Sequence, residues 1–183
     1  MSPLQLLAQD IGINERTLRR AVTQGTLRAH RPSPRKLELP LTEHQFVRRS
    51  WRIISLLRSA LRTDHNVRFA LLFGSSARGT DTPSSDLDVL VALRDPNLDR
   101  VLDLKAKLTQ ILGKQVDLVV LDDARQEPSF LAQALAEGRV LVDRDQLWDA
   151  LRAQETRLRR QGKTQDERRI ARALTGIDQM LSE

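Results

Sequence analysis

The chain has 183 residues, with 30 Lys and Arg against 24 Asp and Glu for a net charge of +6, 40% hydrophobic residues and 3% aromatic. That length holds one medium domain or two small ones, and the lack of cysteine excludes disulfides and cysteine-ligated metals. No apolar run is long enough to cross a bilayer and Met1-Ser2-Pro3-Leu4 lacks the basic-then-apolar layout of a secretory signal, so a cytoplasmic protein with no membrane partner is expected.

Charge is unevenly placed: residues 1–63 carry 12 Lys and Arg against 4 Asp and Glu, whereas residues 64–145 carry 10 against 14. The basic part opens with Ser2-Pro3, a good helix start, followed by Leu4, Leu6, Leu7 and Ala8 and stopped by Gly12. Asn14 is placed to cap a second helix from Glu15, which Gly25 ends. Leu18, Ala21 and Val22 at i, i+3 and i+4 should pack inward, leaving Arg16, Thr17, Arg19, Arg20, Thr23 and Gln24 on exposed flanks. Thr26–Ala29 and Lys36–Leu39 then read as a strand pair around the basic tip Arg31-Pro32-Ser33-Pro34-Arg35. Helix, turn, basic helix and basic hairpin in that order resemble a winged helix-turn-helix domain of the excisionase or MerR-like kind, over residues 1–41. The resemblance implies DNA binding through Arg16, Thr17, Arg19, Arg20, Thr23, Arg31 and Arg35, and a homodimer, as such domains commonly bind. His30, His44 and His65 have no second ligand spaced with them and are expected on the surface.

Residues 42–63 read as one connecting helix capped by Thr42, with Phe46, Val47, Ile54, Leu57 and Leu61 as its apolar stripe and Trp51 packed rather than stacking on a base. The polar break Thr63-Asp64-His65-Asn66 then separates this part from residues 64–145.

Val67–Phe73 is an apolar run of strand length broken by Gly74 and two serines, so the chain reads strand, sharp turn, first turn of a short helix. Free backbone N–H groups there, with the hydroxyls of Ser75 and Ser76, make an anion site. Arg78 has three readings, a fixed charge beside that site, a cap for its own short helix or a partner for Asp81. The next strand, Asp86–Leu93, begins with acids at i and i+2, which converge on one face. Asp86 and Asp88 would raise each other's pKa unless a hard divalent cation such as Mg²⁺ lay between them. A third acid, Asp117, interrupts the apolar strand Gln115–Leu121, and strand register decides whether it joins them. Two ions bridged by three carboxylates would organise in-line attack on a nucleotide's α-phosphate.

GSSARG, SDLDVLV and VDLVV, in that order and spacing, resemble the minimal nucleotidyltransferase branch of the DNA polymerase β superfamily. The segment PSFLAQALAEGRVLVDRDQLWDAL resembles that family's closing helix, glycine turn and final strand, with Leu141-Val142 where members often have Leu-Tyr. The resemblance implies an α+β domain with a mixed sheet flanked by helices. It carries Gly74 and Ser75 onto the triphosphate, with Ser76 and Arg78 beside them, and makes Asp86, Asp88 and Asp117 the metal-binding and catalytic triad, Asp117 also helping to deprotonate the acceptor. The implied reaction is Mg²⁺-dependent transfer of a nucleoside monophosphate from ATP or another NTP, with two ions.

Residues 146–183 read as two amphipathic helices broken near Gln161-Gly162, with Leu151, Leu158, Ile170, Leu174, Ile177 and Leu181 on one face. Minimal nucleotidyltransferases of this type are commonly antitoxins that adenylylate HEPN-type toxins, and a fused DNA-binding module suits autoregulation, so a DNA-binding antitoxin with a HEPN-type partner is the expected function. Two other classes accommodate the same residues: a transcription regulator whose nucleotidyltransferase fold only senses nucleotide, and a small-molecule modifier of the aminoglycoside type.

Overall fold

Ser2 opens α1 (Pro3–Asp10) with a reciprocal cap: its hydroxyl accepts from the Gln5 N–H at 3.1 Å while Gln5 Oε1 accepts from the Ser2 N–H at 2.9 Å. The computed structural model describes residues 2–33 and 36–181, with side chains described as far as residue 170 and at Arg172. Asn14 Oδ1 accepts from the Arg16 N–H at 2.8 Å and starts α2 (Glu15–Thr23), which buries Leu18 and Ala21 and half-buries Val22. A short antiparallel hairpin follows, β1 (His30–Ser33) and β2 (Lys36–Glu38).

The hairpin begins later than the sequence pattern implies. Residues 26–29 are not strand, because Thr26 Oγ1 donates to the Val140 carbonyl at 2.6 Å and the Val140 N–H donates to the Gly25 carbonyl at 3.1 Å, docking this segment on a distant part of the chain. Arg31 consequently lies on β1 itself, and Arg35 lies outside the described residues.

The connecting helix α3 (Leu41–Thr63) starts after Pro40 without a side-chain cap, so Thr42 lies inside its first turn instead of capping it. Its stripe of Phe46, Val47, Trp51, Ile54, Leu57 and Leu61 is buried as the periodicity requires.

Four further strands form one mixed sheet in the order β5-β4-β3-β6: β3 (Val67–Phe73), β4 (Leu87–Leu93), β5 (Val116–Val120) and β6 (Arg139–Asp143). β3 runs antiparallel to β4 and β6, while β4 and β5 are parallel. The parallel pair needs a crossover, supplied by α5 (Leu98–Leu112), a helix with no counterpart in the motif reading. Between β3 and β4 sits α4 (Gly74–Arg78), and after β5 come α6 (Leu121–Ala124) and α7 (Pro128–Glu137).

Alternation along the strands divides the sheet into two buried faces. Ala70, Leu72, Leu87, Val89 and Val91 pack with α3, with Leu104 and Leu108 of α5, and with Leu4, Leu7, Leu18 and Ala21 of the first two helices. Phe69, Leu71, Phe73 and Leu90 pack on the other face with Leu131, Leu135, Leu151 and Leu158. One core therefore runs without interruption across the polar break at Thr63–Asn66.

The last helix, α8 (Leu147–Leu181), is continuous, which corrects the expected break at Gln161-Gly162. Gly162 faces α7, and a Cβ there would stand 2.1 Å from Ser129 Oγ and 2.5 Å from Ser129 N, so the glycine permits a close helix crossing instead of ending the helix. Asp143 caps α8, accepting from the Leu147 and Trp148 N–H groups at 2.9 and 3.1 Å. Leu151 and Leu158 are buried, Ile170 is exposed, and the side chains of Leu174, Ile177 and Leu181 lie outside the described residues.

Candidate active site

β3 ends at Phe73 in extended backbone and the chain turns at Gly74, where φ is +69°. That conformation alone favours glycine, and contact adds a second reason: a Cβ on Gly74 would stand 2.2 Å from Asp88 Oδ2. The turn is thus packed directly onto a carboxylate of the neighbouring strand. Phe73 is the pairing partner of Asp88 across the antiparallel ladder, which fixes that approach.

Register also places Asp117. Asp88 and Asp117 are direct partners across the parallel β4–β5 pair, as Leu90 and Val119 are, so both acids rise from the same sheet face. Asp86 is exposed and precedes β4 by one residue, two before Asp88. Asp88 is half-buried, and its carboxyl is held above the ordinary aspartate range by desolvation first, then by the charges of Asp117 and Asp86, with Arg78 opposing and Glu137 adding to the rise. A cation would relieve this conflict, and the donors are hard oxygens of the kind Mg²⁺ takes, so the residues fit such an ion. The triad is not drawn together in advance: among the described residues no group of three His, Cys, Asp or Glu side chains is already gathered for a metal. Asp117, exposed, instead accepts from Lys105 Nζ of α5 at 2.9 Å.

The remaining expected nucleotide ligands take different positions. Ser75 is half-buried in the turn. Ser76 is only 4% exposed, and its hydroxyl donates inward to the Asp86 carbonyl at 3.4 Å, bracing the turn against the start of β4. Arg78 is ion-paired with Glu137 at 2.5 Å and not with Asp81, which faces Arg49.

Glu137, at the C-terminal end of α7, was not among the expected residues. Its Oε1 accepts from the Gly74 N–H at 3.0 Å while Oε2 takes Arg78, so a carboxylate occupies two of the donors that the anion reading assigns to phosphate. The only sequence cue is an acid immediately before Gly138 in AEGR. Arg28, from the segment docked on β6, donates to the Glu137 carbonyl at 2.5 Å. With Arg78, Glu137, Ser129, Gln133 and Arg159 it lines a cleft of about 500 Å³ beside the turn. The basic N-terminal part therefore contributes a guanidinium to the cleft beside the Gly74 turn.

On α2, Arg16, Thr17, Arg19, Arg20 and Thr23 are all exposed. They do not form one free face. Arg19 is tied to Glu15 at 2.6 Å and Thr23 Oγ1 donates to the Arg19 carbonyl at 3.1 Å, while Arg16, Thr17 and Arg20 border a cleft against α3.

The family model described as polymerase beta, nucleotidyltransferase matches residues 56–147, from the second half of α3 to the start of α8. A Methanocaldococcus jannaschii protein, named as a candidate protein adenylyltransferase, is 36% identical over 92 residues, covering 48% of this chain and 89% of the relative. The protein adenylyltransferase MntA of Thermococcus cleftensis is 36% identical over 69 residues, covering 37% of this chain and 70% of that protein. Among solved structures, a mutant of the toxin-antitoxin MntA-HpeT superposes with a TM-score of 0.52 at 25% identity, covering 68% of this chain and 97% of the other. A toxin-antitoxin with AMP-PNP shares the fold, with a TM-score of 0.53 at 24% identity, covering 69% of this chain and 98% of the other.

Proposed function

The chain belongs to the polymerase beta nucleotidyltransferase family, and from that premise we propose that it transfers AMP from ATP to a protein acceptor, as the DNA-binding antitoxin of a toxin-antitoxin pair. The observation that carries the chemistry is the Gly74 turn packed on Asp88, with Asp117 opposite Asp88 on the next strand.

In this reading the triphosphate lies along the Gly74–Ser75 turn, displacing the Glu137 carboxylate from the Gly74 N–H and from Arg78, whose guanidinium then faces phosphate. Asp86, Asp88 and Asp117 would hold Mg²⁺, which supplies charge neutralisation for the triphosphate and an acidified acceptor hydroxyl. The acceptor oxygen attacks the α-phosphorus, its bond to the α–β bridging oxygen breaks, and pyrophosphate leaves with that electron pair. Asp117 takes the acceptor proton. Lys105, whose Nζ donates to Asp117 at 2.9 Å, holds that carboxylate in place until the acceptor arrives.

The names of two relatives, protein adenylyltransferases, and of the MntA-HpeT toxin-antitoxin structure support AMP as the group, protein as the acceptor and a toxin as the partner, which the motif resemblance makes HEPN-type. DNA binding by residues 1–41 rests on the capped basic helix α2, on Arg31 in the β1–β2 hairpin and on the concentration of positive charge before residue 64. A homodimer matches that mode of binding, and cytoplasm matches such a partner.

Incubation of the chain with α-labelled ATP, Mg²⁺ and the product of the neighbouring gene tests the acceptor. Label appears on that protein with wild type and not with Asp86→Asn. A gel shift with DNA upstream of the gene tests the N-terminal reading, with retardation at low salt that fades as salt rises. Label only on small molecules, or no retardation at low salt, overturns the respective half of the proposal.

A further inference from the structure

α2 and α3 enclose a second basic cleft, of about 490 Å³, which shares no residue with the Gly74 turn or the three aspartates. Arg16 and Arg20 line it from α2, Gln24 from the cap that follows, and Ser59, Arg58 and Arg62 from α3, with residues 55, 58, 59 and 62 on one face of that helix. No acidic side chain lines it, and among the described residues Arg16, Arg20, Arg58 and Arg62 make no salt bridge.

Arg58 is the unusual member. It is 9% exposed, its Nε is buried without a hydrogen-bond partner, and its Nη2 donates only to the neutral amide oxygen Gln24 Oε1, which also accepts from Arg62 Nη2 at 3.3 Å. Burial, with Arg62 and Arg20 nearby, pushes its pKa down to about 10, so it remains charged at neutral pH. A buried guanidinium with an idle donor among like charges destabilises the chain unless an anion completes it. Helix packing does not require such a residue, since the adjoining Leu57 and Leu61 are already buried.

We propose that this cleft binds a small phosphate-bearing ligand, with Arg58 at its floor and Arg16, Arg20 and Arg62 around its mouth. The volume lies in the range of small-ligand sites, and forked guanidinium donors match phosphate oxygens. A free ligand is favoured over a duplex backbone because Arg58 is recessed between two helices. Occupancy neutralises the exposed arginines of α2, so the ligand competes with DNA wherever α2 engages it.

Pyrophosphate, titrated by calorimetry in EDTA, probes the cleft without Mg²⁺ at the catalytic carboxylates. Expected is binding that Arg20→Ala and Arg62→Ala each weaken about tenfold and that Asp88→Asn leaves unchanged. Arg58→Met should abolish binding while raising Tm of the ligand-free chain, a pair of opposite effects that a purely structural arginine does not produce. Equal binding by wild type, Arg20→Ala and Arg62→Ala, loss of binding in Asp88→Asn, or no binding at all overturns the proposal. So does a result in which these arginine variants lose duplex DNA but pyrophosphate neither binds nor competes, which assigns the cleft to a DNA backbone.

Discussion

Arg139 and Glu43 form a bidentate ion pair in the interior, 2.5 and 3.0 Å between heavy atoms, with 3% and 5% of their side chains exposed. The same guanidinium lies 3.4 Å over the Phe46 ring and donates to the Ala77 carbonyl at 2.6 Å, while Glu43 Oε1 also accepts from the Arg28 N–H at 3.0 Å. β6, α3, the short helix α4 and the N-terminal segment thereby meet at one charge pair. Removing one partner leaves the other buried and uncompensated, so Glu43→Ala should lower stability by about 3–5 kcal/mol. Urea denaturation checks this, and the double variant Glu43→Leu with Arg139→Met should recover most of the loss.

Asp88 gives a pH signature. Because desolvation and neighbouring carboxylates raise its folded-state pKa, proton uptake favours the folded chain: the stabilisation is complete at low pH and is lost as pH rises through the folded value. In EDTA, Asp88→Asn should therefore be more stable than wild type near neutral pH, with the gap closing toward about pH 4. Paired urea titrations across that range measure it, and Mg²⁺ should stabilise wild type and not the variant.

Gly162 tests the continuous last helix. Alanine there forces its Cβ against the Ser129 backbone, and Ser129 is also bound through its Oγ to Asp166 Oδ2 at 2.8 Å, so α7 and α8 must separate. Gly162→Ala should cost about 1–3 kcal/mol despite alanine's better helix propensity. If the glycine were a helix break, the same substitution would be neutral or stabilising.

Much of this arrangement was legible in the residues. Val67–Phe73 and Leu87–Leu93 are apolar runs bounded by Gly74 and by Asp86, and the period-two spacing of Asp86 and Asp88 places both on one side of the strand. Register was not legible, since nothing local in QVDLVVL says which residue of β4 will face Asp117. Glu137 and Lys105 were hidden for a related reason: each acts across the fold, from a helix whose own sequence carries no motif. Gly162 and Thr26 misled because glycine normally breaks helices and threonine favours strands, whereas here contacts with Ser129 and Val140 override local preference.

The most direct measurement follows the fate of label from ATP. With α-labelled ATP, Mg²⁺ and the partner protein, wild type should leave label on the partner and release unlabelled pyrophosphate, γ-labelled ATP should leave none there, and Asp88→Asn and Gly74→Ala should each lose the transfer. Equal labelling by wild type and Asp88→Asn, or transfer of the γ-label, would contradict a nucleotidyl-transfer centre at the Gly74 turn.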